Sequence, residues 1–146
     1  MNLAPALLDA VKGEASIADL LGDYAGEPSA HTRRPMPKAA GYPAVIISPD
    51  VAHTDFDGLT ARRPMVVRDI AVYGRVSDDG SVDEYRAVES AAYAVRDFFH
   101  RNRDAIAVSG AEVVDIVASG PRPGPTDDDK MIARVVTLTI RLSTNI

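Results

Sequence analysis

The chain contains no cysteine, which excludes disulfides, thiolate metal ligands and cysteine nucleophiles outright. No segment approaches the roughly 20 consecutive apolar residues that a membrane span needs. The first helical stretch carries Asp9 and lacks a basic lead followed by an apolar run, so it does not read as a secretory signal. A basic excess is missing too: 21 acidic residues stand against 16 basic ones, for a net charge of −5. That balance argues against a dedicated nucleic-acid binder, whose footprint would be basic. Catalytic signatures are equally scarce, with no G-x-S-x-G elbow, P-loop, G-x-G-x-x-G or H-E-x-x-H pattern, and no internal repeat. These absences together describe a soluble protein made in the cytoplasm, with no membrane partner, no sequence-specific nucleic-acid partner, no cofactor and no enzymatic activity.

What remains is a chain of 146 residues, long enough for one domain that buries roughly 70% of its extended surface. Leu3, Leu7, Leu8 and Val11 recur at helical spacing before Lys12-Gly13, predicting a short amphipathic helix over 3–12. Ser16 and Asp19 resemble a cap for a second short turn holding Ile17, Leu20 and Leu21. Residues 26–41 hold Pro28, Pro35 and Pro37 among Arg33, Arg34 and Lys38, a composition that suits a loop or arm. The β-branched run 44–48 predicts a strand limited by Pro49. Residues 50–64 are polar, with Gly58 and Pro64, and read as a hairpin connection or extended loop.

A longer strand is expected over 65–76, with Val66, Ile70 and Val72 sharing a face with Arg68, and Met65, Val67, Asp69, Ala71 and Tyr73 on the other. Ser81 and Glu84 form a capping box for a helix whose stripe is Val82, Tyr85, Val88, Ala92, Val95 and Phe99. Arg101 and Arg103 lie near its far end. Two more strands follow, over 111–118 and 132–143, separated by a Pro-, Gly- and Asp-rich loop over 119–130. In the last, Val136, Leu138, Ile140 and Leu142 alternate with Val135, Thr137, Thr139 and Arg141. The order helix, strand, strand, helix, strand, strand predicts an α+β fold. It is a single mixed or antiparallel sheet of about four strands with helices packed on it, in one domain over 1–146.

Three groups of side chains stand out. His53, Asp55 and Asp57 form an H-x-D-x-D run, and alternate residues on an extended segment can present three metal ligands to one side. No closing ligand is apparent, so the first reading of this run is a solvated loop. Asp127, Asp128 and Asp129 lie beside a Pro/Gly turn and serve solubility, a cation or a basic partner surface. The doublets Arg33-Arg34 and Arg62-Arg63 sit beside prolines and are expected to pair with carboxylates, within the chain or across a subunit boundary.

The arrangement resembles the tail terminator or tail-completion proteins of long-tailed bacteriophages, prophages and gene transfer agents. Three segments carry the resemblance: Gly41 to Ile47, opened by Tyr42-Pro43; Arg68 to Gly74, followed by an acidic turn and the helix; and the two closing strands with their Pro/Gly/Asp-rich link. The resemblance implies a structural virion protein that forms a ring of six at the head-proximal end of the tail tube. Such a ring halts tube polymerisation and offers the surface that joins tail to head, with the tube protein and a head-tail connector or neck protein as partners. A closed ring needs one patch to meet a different patch on the neighbour. The basic doublets and the Asp127 to Asp129 run supply opposites of that kind. The competing readings are a head-closure or neck component of the same particle, a metal-dependent hydrolase using His53, Asp55 and Asp57, and a generic ligand-binding domain with an apolar pocket.

Overall fold

The computed structural model describes residues 3–32, 37–57, 61–76, 82–126 and 130–145. Helix α1 (Ala4–Gly13) starts with a proline in its first turn and carries Lys12 in its last, and it turns Leu7 and Val11 inward. Glu14 closes α1 and also caps α2 (Ala15–Ala18), its carboxylate accepting from the backbone N–H and the hydroxyl of Ser16. The cap is therefore Glu14, where the sequence pointed to Ser16 and Asp19. A small hairpin follows, β1 (Asp23–Tyr24) with β2 (Glu27–Pro28), turned by Ala25 and Gly26 at φ 53° and 82°. Positive φ at both central residues is the geometry that matches strand twist, and glycine adopts it without a Cβ clash.

The main sheet has five strands in the order β3 (Ala30–His31), β4 (Ala44–Asp57), β5 (Ala61–Arg75), β7 (Met131–Asn145) and β6 (Glu112–Pro123). The short β3 runs parallel to β4 and every other pairing is antiparallel, giving a mixed sheet in an α+β fold. The 26–41 stretch is thus partly strand, because Ala30 and His31 pair with Val45 and Ile46. Of the 50–64 stretch, read as a hairpin connection or extended loop, residues 50–57 and 61–64 are strand. Those residues form the distal arms of the β4–β5 hairpin, paired from Asp50–Arg68 out to Asp57–Arg62.

Pro49, which lacks the N–H a ladder needs, is passed by two register shifts flanking Asp50. Here Ser48 substitutes for the missing ladder bonds. Its hydroxyl donates to the Asp69 carbonyl at 2.8 Å and accepts from the Asp69 N–H at 3.1 Å. The Ser48 carbonyl is met by Nη1 of Arg68 at 2.6 Å. This explains how an arginine only 4% exposed can sit on the face of β5 that faces the core. β6 likewise runs through Gly120-Pro121 to Pro123 by a register shift between Ser119 and Arg122, so the connection predicted for 119–130 begins only at Gly124.

The core lies on one side of this sheet. Val66, Ile70 and Val72 of β5, Val136, Leu138, Ile140 and Leu142 of β7, and Ile116 of β6 are buried against α1, α2 and α3 (Val82–Phe99). Each fully buried side chain of this size contributes about 1.5–3 kcal/mol. In α3 the stripe Val88, Ala92, Val95 and Phe99, with Ala91, faces the sheet, whereas Tyr85, expected on the same stripe, is 41% exposed; the predicted cap at Ser81 lies outside the described residues. Arg101 leaves the helix at φ 58°, its N–H donating to the Ile116 carbonyl at 2.8 Å. Asn102 covers the Phe98 carbonyl at 2.9 Å.

Two expected outcomes test this packing. A Cβ at Gly74 would lie 2.1 Å from Cγ2 of Val88, and valine is too stiff at χ1 to swing clear. Gly74→Ala should therefore cost about 1–3 kcal/mol of overpacking strain and lower the melting midpoint by a few degrees; an unchanged midpoint would mean that α3 moves freely over β5. The second concerns His31, whose ring nitrogen Nε2 lies 3.1 Å from the Ser29 hydroxyl and whose ring meets Tyr24 edge-on at 5.2 Å. Burial first, then Lys12, holds its pKa below 6.5. The stabilising contribution of the neutral ring is present above 6.5 and lost as pH falls through the depressed folded value. His31→Gln should flatten the fall in melting midpoint between about pH 7.5 and 5 relative to the parent; identical slopes would show that His31 does not carry it.

Candidate functional site

Alternation along β5 and β7 sends every second side chain to the face of the sheet away from the helices. At one end of that face Ile46, Ala71, Tyr73, Ala133 and Val135 form a second buried cluster, with Tyr42 and Met131 against it. The cluster is covered in part by the chain leaving β6. The Gly124 N–H donates to the Ala133 carbonyl at 3.1 Å, and Pro125 helps to line a cavity of about 300 Å³ with Ile46, Tyr73 and Val135.

The middle of the face is polar. Thr137 donates to Oδ1 of Asp69 at 2.6 Å and accepts from Nη1 of Arg122 at 2.5 Å, while Nη2 of Arg122 lies 3.5 Å from the other carboxylate oxygen. This triad ties β5, β7 and β6 together across their outer surface.

At the other end, where β7 finishes and the chain returns from α3 into β6, lies a cleft of about 750 Å³. Arg63 of β5, Arg141 of β7 and Arg103 from the segment after α3 rim it, over a floor that includes Met65 and Val114. All three arginines are exposed, and none has a carboxylate partner among the described residues. Val114 of β6 is apolar, yet 49% of its surface is exposed. Three guanidinium forks over an apolar floor can hold carboxylates bidentately while burying adjoining aliphatic groups.

The residues singled out in the sequence fall unevenly on this map. Arg63 lies in the cleft. Arg62 is beside it on β5, paired with Asp57 and Thr144 by backbone register. Arg33, Arg34 and Asp127 to Asp129 lie outside the described residues. His53, Asp55 and Asp57 are brought into β4 opposite Val66, Pro64 and Arg62, so the setting of the H-x-D-x-D run is a strand rather than a loop. No group of three metal-ligating side chains occurs among the described residues. Ser29 beside His31 is fully buried, which makes that contact structural.

The sequence missed Arg103 and Arg141 as members of one site. Arg141 was visible as the cation on the outer face of the last strand, but nothing in a linear pattern sets it beside a residue from the far side of α3. For the polar triad, the expected outcome of an Asp69→Ala and Arg122→Ala double-mutant cycle is a coupling of about 0.5–1 kcal/mol by urea denaturation. A coupling of zero would reduce the triad to a surface contact without energetic weight.

No family model and no curated protein sequence matches this chain. Among solved structures, it is similar to a chain from the virion of a native gene transfer agent particle. The match has a TM-score of 0.67 at 17% sequence identity and covers 97% of this chain and 93% of that one. A likeness at that identity is one of fold.

Proposed function

We propose that the chain is a structural protein of a phage-like particle, one that acts by assembly and carries out no chemistry. It forms a ring, of six copies, at the head-proximal end of the tail tube. There it ends tube polymerisation and presents the surface to which the head is joined. The observation that supports this reading above the others is the fold likeness to a gene transfer agent virion chain, which spans nearly the whole of both chains. The uncovered sheet face, with its apolar cluster and arginine-rimmed cleft, supports it as well, since a ring subunit needs distinct patches for its neighbours and for the tube. The basic residues Arg33, Arg34, Arg62 and Arg63 and the acidic run Asp127 to Asp129 are the proposed contacts between subunits or with the tube.

The test is the mass of the purified chain by light scattering across a concentration series, with negative-stain images of the same samples and of samples mixed with polymerised tail tube. The expected result is a discrete ring near six times the 15.6 kDa subunit, formed alone or on tube ends, and tubes that no longer elongate. A monomer at all concentrations that neither attaches to tube ends nor stops their growth would overturn the reading. Binding to the portal-side ring instead of the tube would assign the chain to the neck.

A further inference from the structure

The arginine-rimmed cleft lies at one end of the β6–β7 hairpin, and Thr126 and Lys130, which flank the acidic run Asp127 to Asp129 in sequence, lie at the other. The run lies between Thr126 and Lys130, at the end where β7 begins with Met131. Arg141 is about 33 Å further along that strand at ~3.3 Å per residue. Charges separated by several Debye lengths of about 8 Å do not pair through solvent, and a straight strand cannot fold back on itself. The acidic run of one copy therefore cannot occupy the cleft of the same copy, although the two are complementary. We propose that the cleft formed by Arg63, Arg103 and Arg141 receives the acidic 127–129 segment of a second copy, a head-to-tail contact between unlike patches.

Several features select this occupant. The net charge of −5 makes a trio of guanidiniums without a carboxylate partner among the described residues unusual on this chain, and it leaves their donors available to an incoming carboxylate. Met65 and Val114 on the floor suit the aliphatic parts of Pro125 and Thr126, which precede the three aspartates. The contact is of the type that closes rings or grows filaments, since each copy offers both halves. It rests on the ring reading above for its biological setting, but its chemistry can be tested apart from it.

The receptor in the test is the full chain carrying Asp127→Asn, Asp128→Asn and Asp129→Asn, so that its own run cannot compete. The probe is an end-capped fluorescent peptide of residues 123–129, followed by anisotropy at low salt. The expected result is binding that weakens about tenfold or more with Arg103→Glu and Arg141→Glu, and likewise when the salt is raised from about 25 to 250 mM. A peptide with Asp127→Lys, Asp128→Lys and Asp129→Lys should reverse the preference, binding the doubly reversed receptor and not the parent. Both substituted arginines are exposed, and the gain of binding by the lysine peptide guards against mistaking misfolding for a lost contact.

The inference is overturned if an asparagine peptide binds as well as the aspartate one, if the arginine reversals change nothing, or if a short duplex DNA outcompetes the peptide. Rings that form while the peptide fails to bind would sink this contact and leave the ring reading standing. Peptide binding through the cleft, with no ring and no attachment to tube ends, would support the contact and sink the ring.

Discussion

The structure depends on the pairing of β5 with β7, two 15-residue strands that lie at the centre of the sheet and carry the core on one face. Each spans about 50 Å at ~3.3 Å per residue, whereas the 18 residues of α3 reach only about 27 Å at ~1.5 Å per residue. A helix of this length cannot cover strands of that length, and the remaining helices are shorter still. The sheet therefore overhangs its helical layer, and among the described residues no helix covers its second face. A fold of this shape keeps an exposed surface of mixed character as a geometric consequence of its element lengths. The Asp69–Thr137–Arg122 triad and the arginine cleft lie on the surface so exposed, beside the buried apolar cluster around Tyr73.

The edges of the sheet are handled differently. On β6 the Ala118 N–H is met by Nδ1 of His100 at 3.1 Å and the Ile116 carbonyl by the Arg101 N–H at 2.8 Å. The edge strand is thus closed by the end of α3 where it is most apolar. On the other side, the proximal part of β4 is covered by β3 and by the Ser29 carbonyl, which accepts from the Val45 N–H at 2.9 Å. Groups occupied in this way do not template a new strand, which turns the proximal sheet toward assembly through side chains on its face and ends.

The same physics decides what was legible in the sequence. The core positions of β5, β7 and α3 were readable because each combines regular alternation or helical spacing with burial on one side, and Val66, Val136 and Phe99 fall where the pattern places them. The length of β4 was not. Pro49 is a sound reason to end a strand, and the ladder continues past it only because Ser48 and Arg68 supply bonds from 20 residues or so away in sequence. The short β3 carried no signal, since two residues have no period. The outer cluster was hidden for a related reason: Ala71, Tyr73 and Val135 alternate against the true core positions and are buried by a returning segment that contributes Gly124 and Pro125. Of the site, single arginines were visible, but their convergence from β5, β7 and the segment after α3 is a property of the fold.

An interface built mainly from exposed ion pairs is weak by nature. Each such pair is worth about 0–1 kcal/mol, while bringing two proteins together costs at least about 4 kcal/mol in lost translational and rotational freedom. On the proposed reading that weakness has a use. One head-to-tail contact holds two copies only weakly, but in a closed ring every copy makes two such contacts, and a tube end beneath the ring adds a third surface that raises the effective concentration of the rest. A subunit of this kind would assemble where a template exists and stay dispersed where none does, which is the behaviour required of a component that must act once, at the end of a growing polymer.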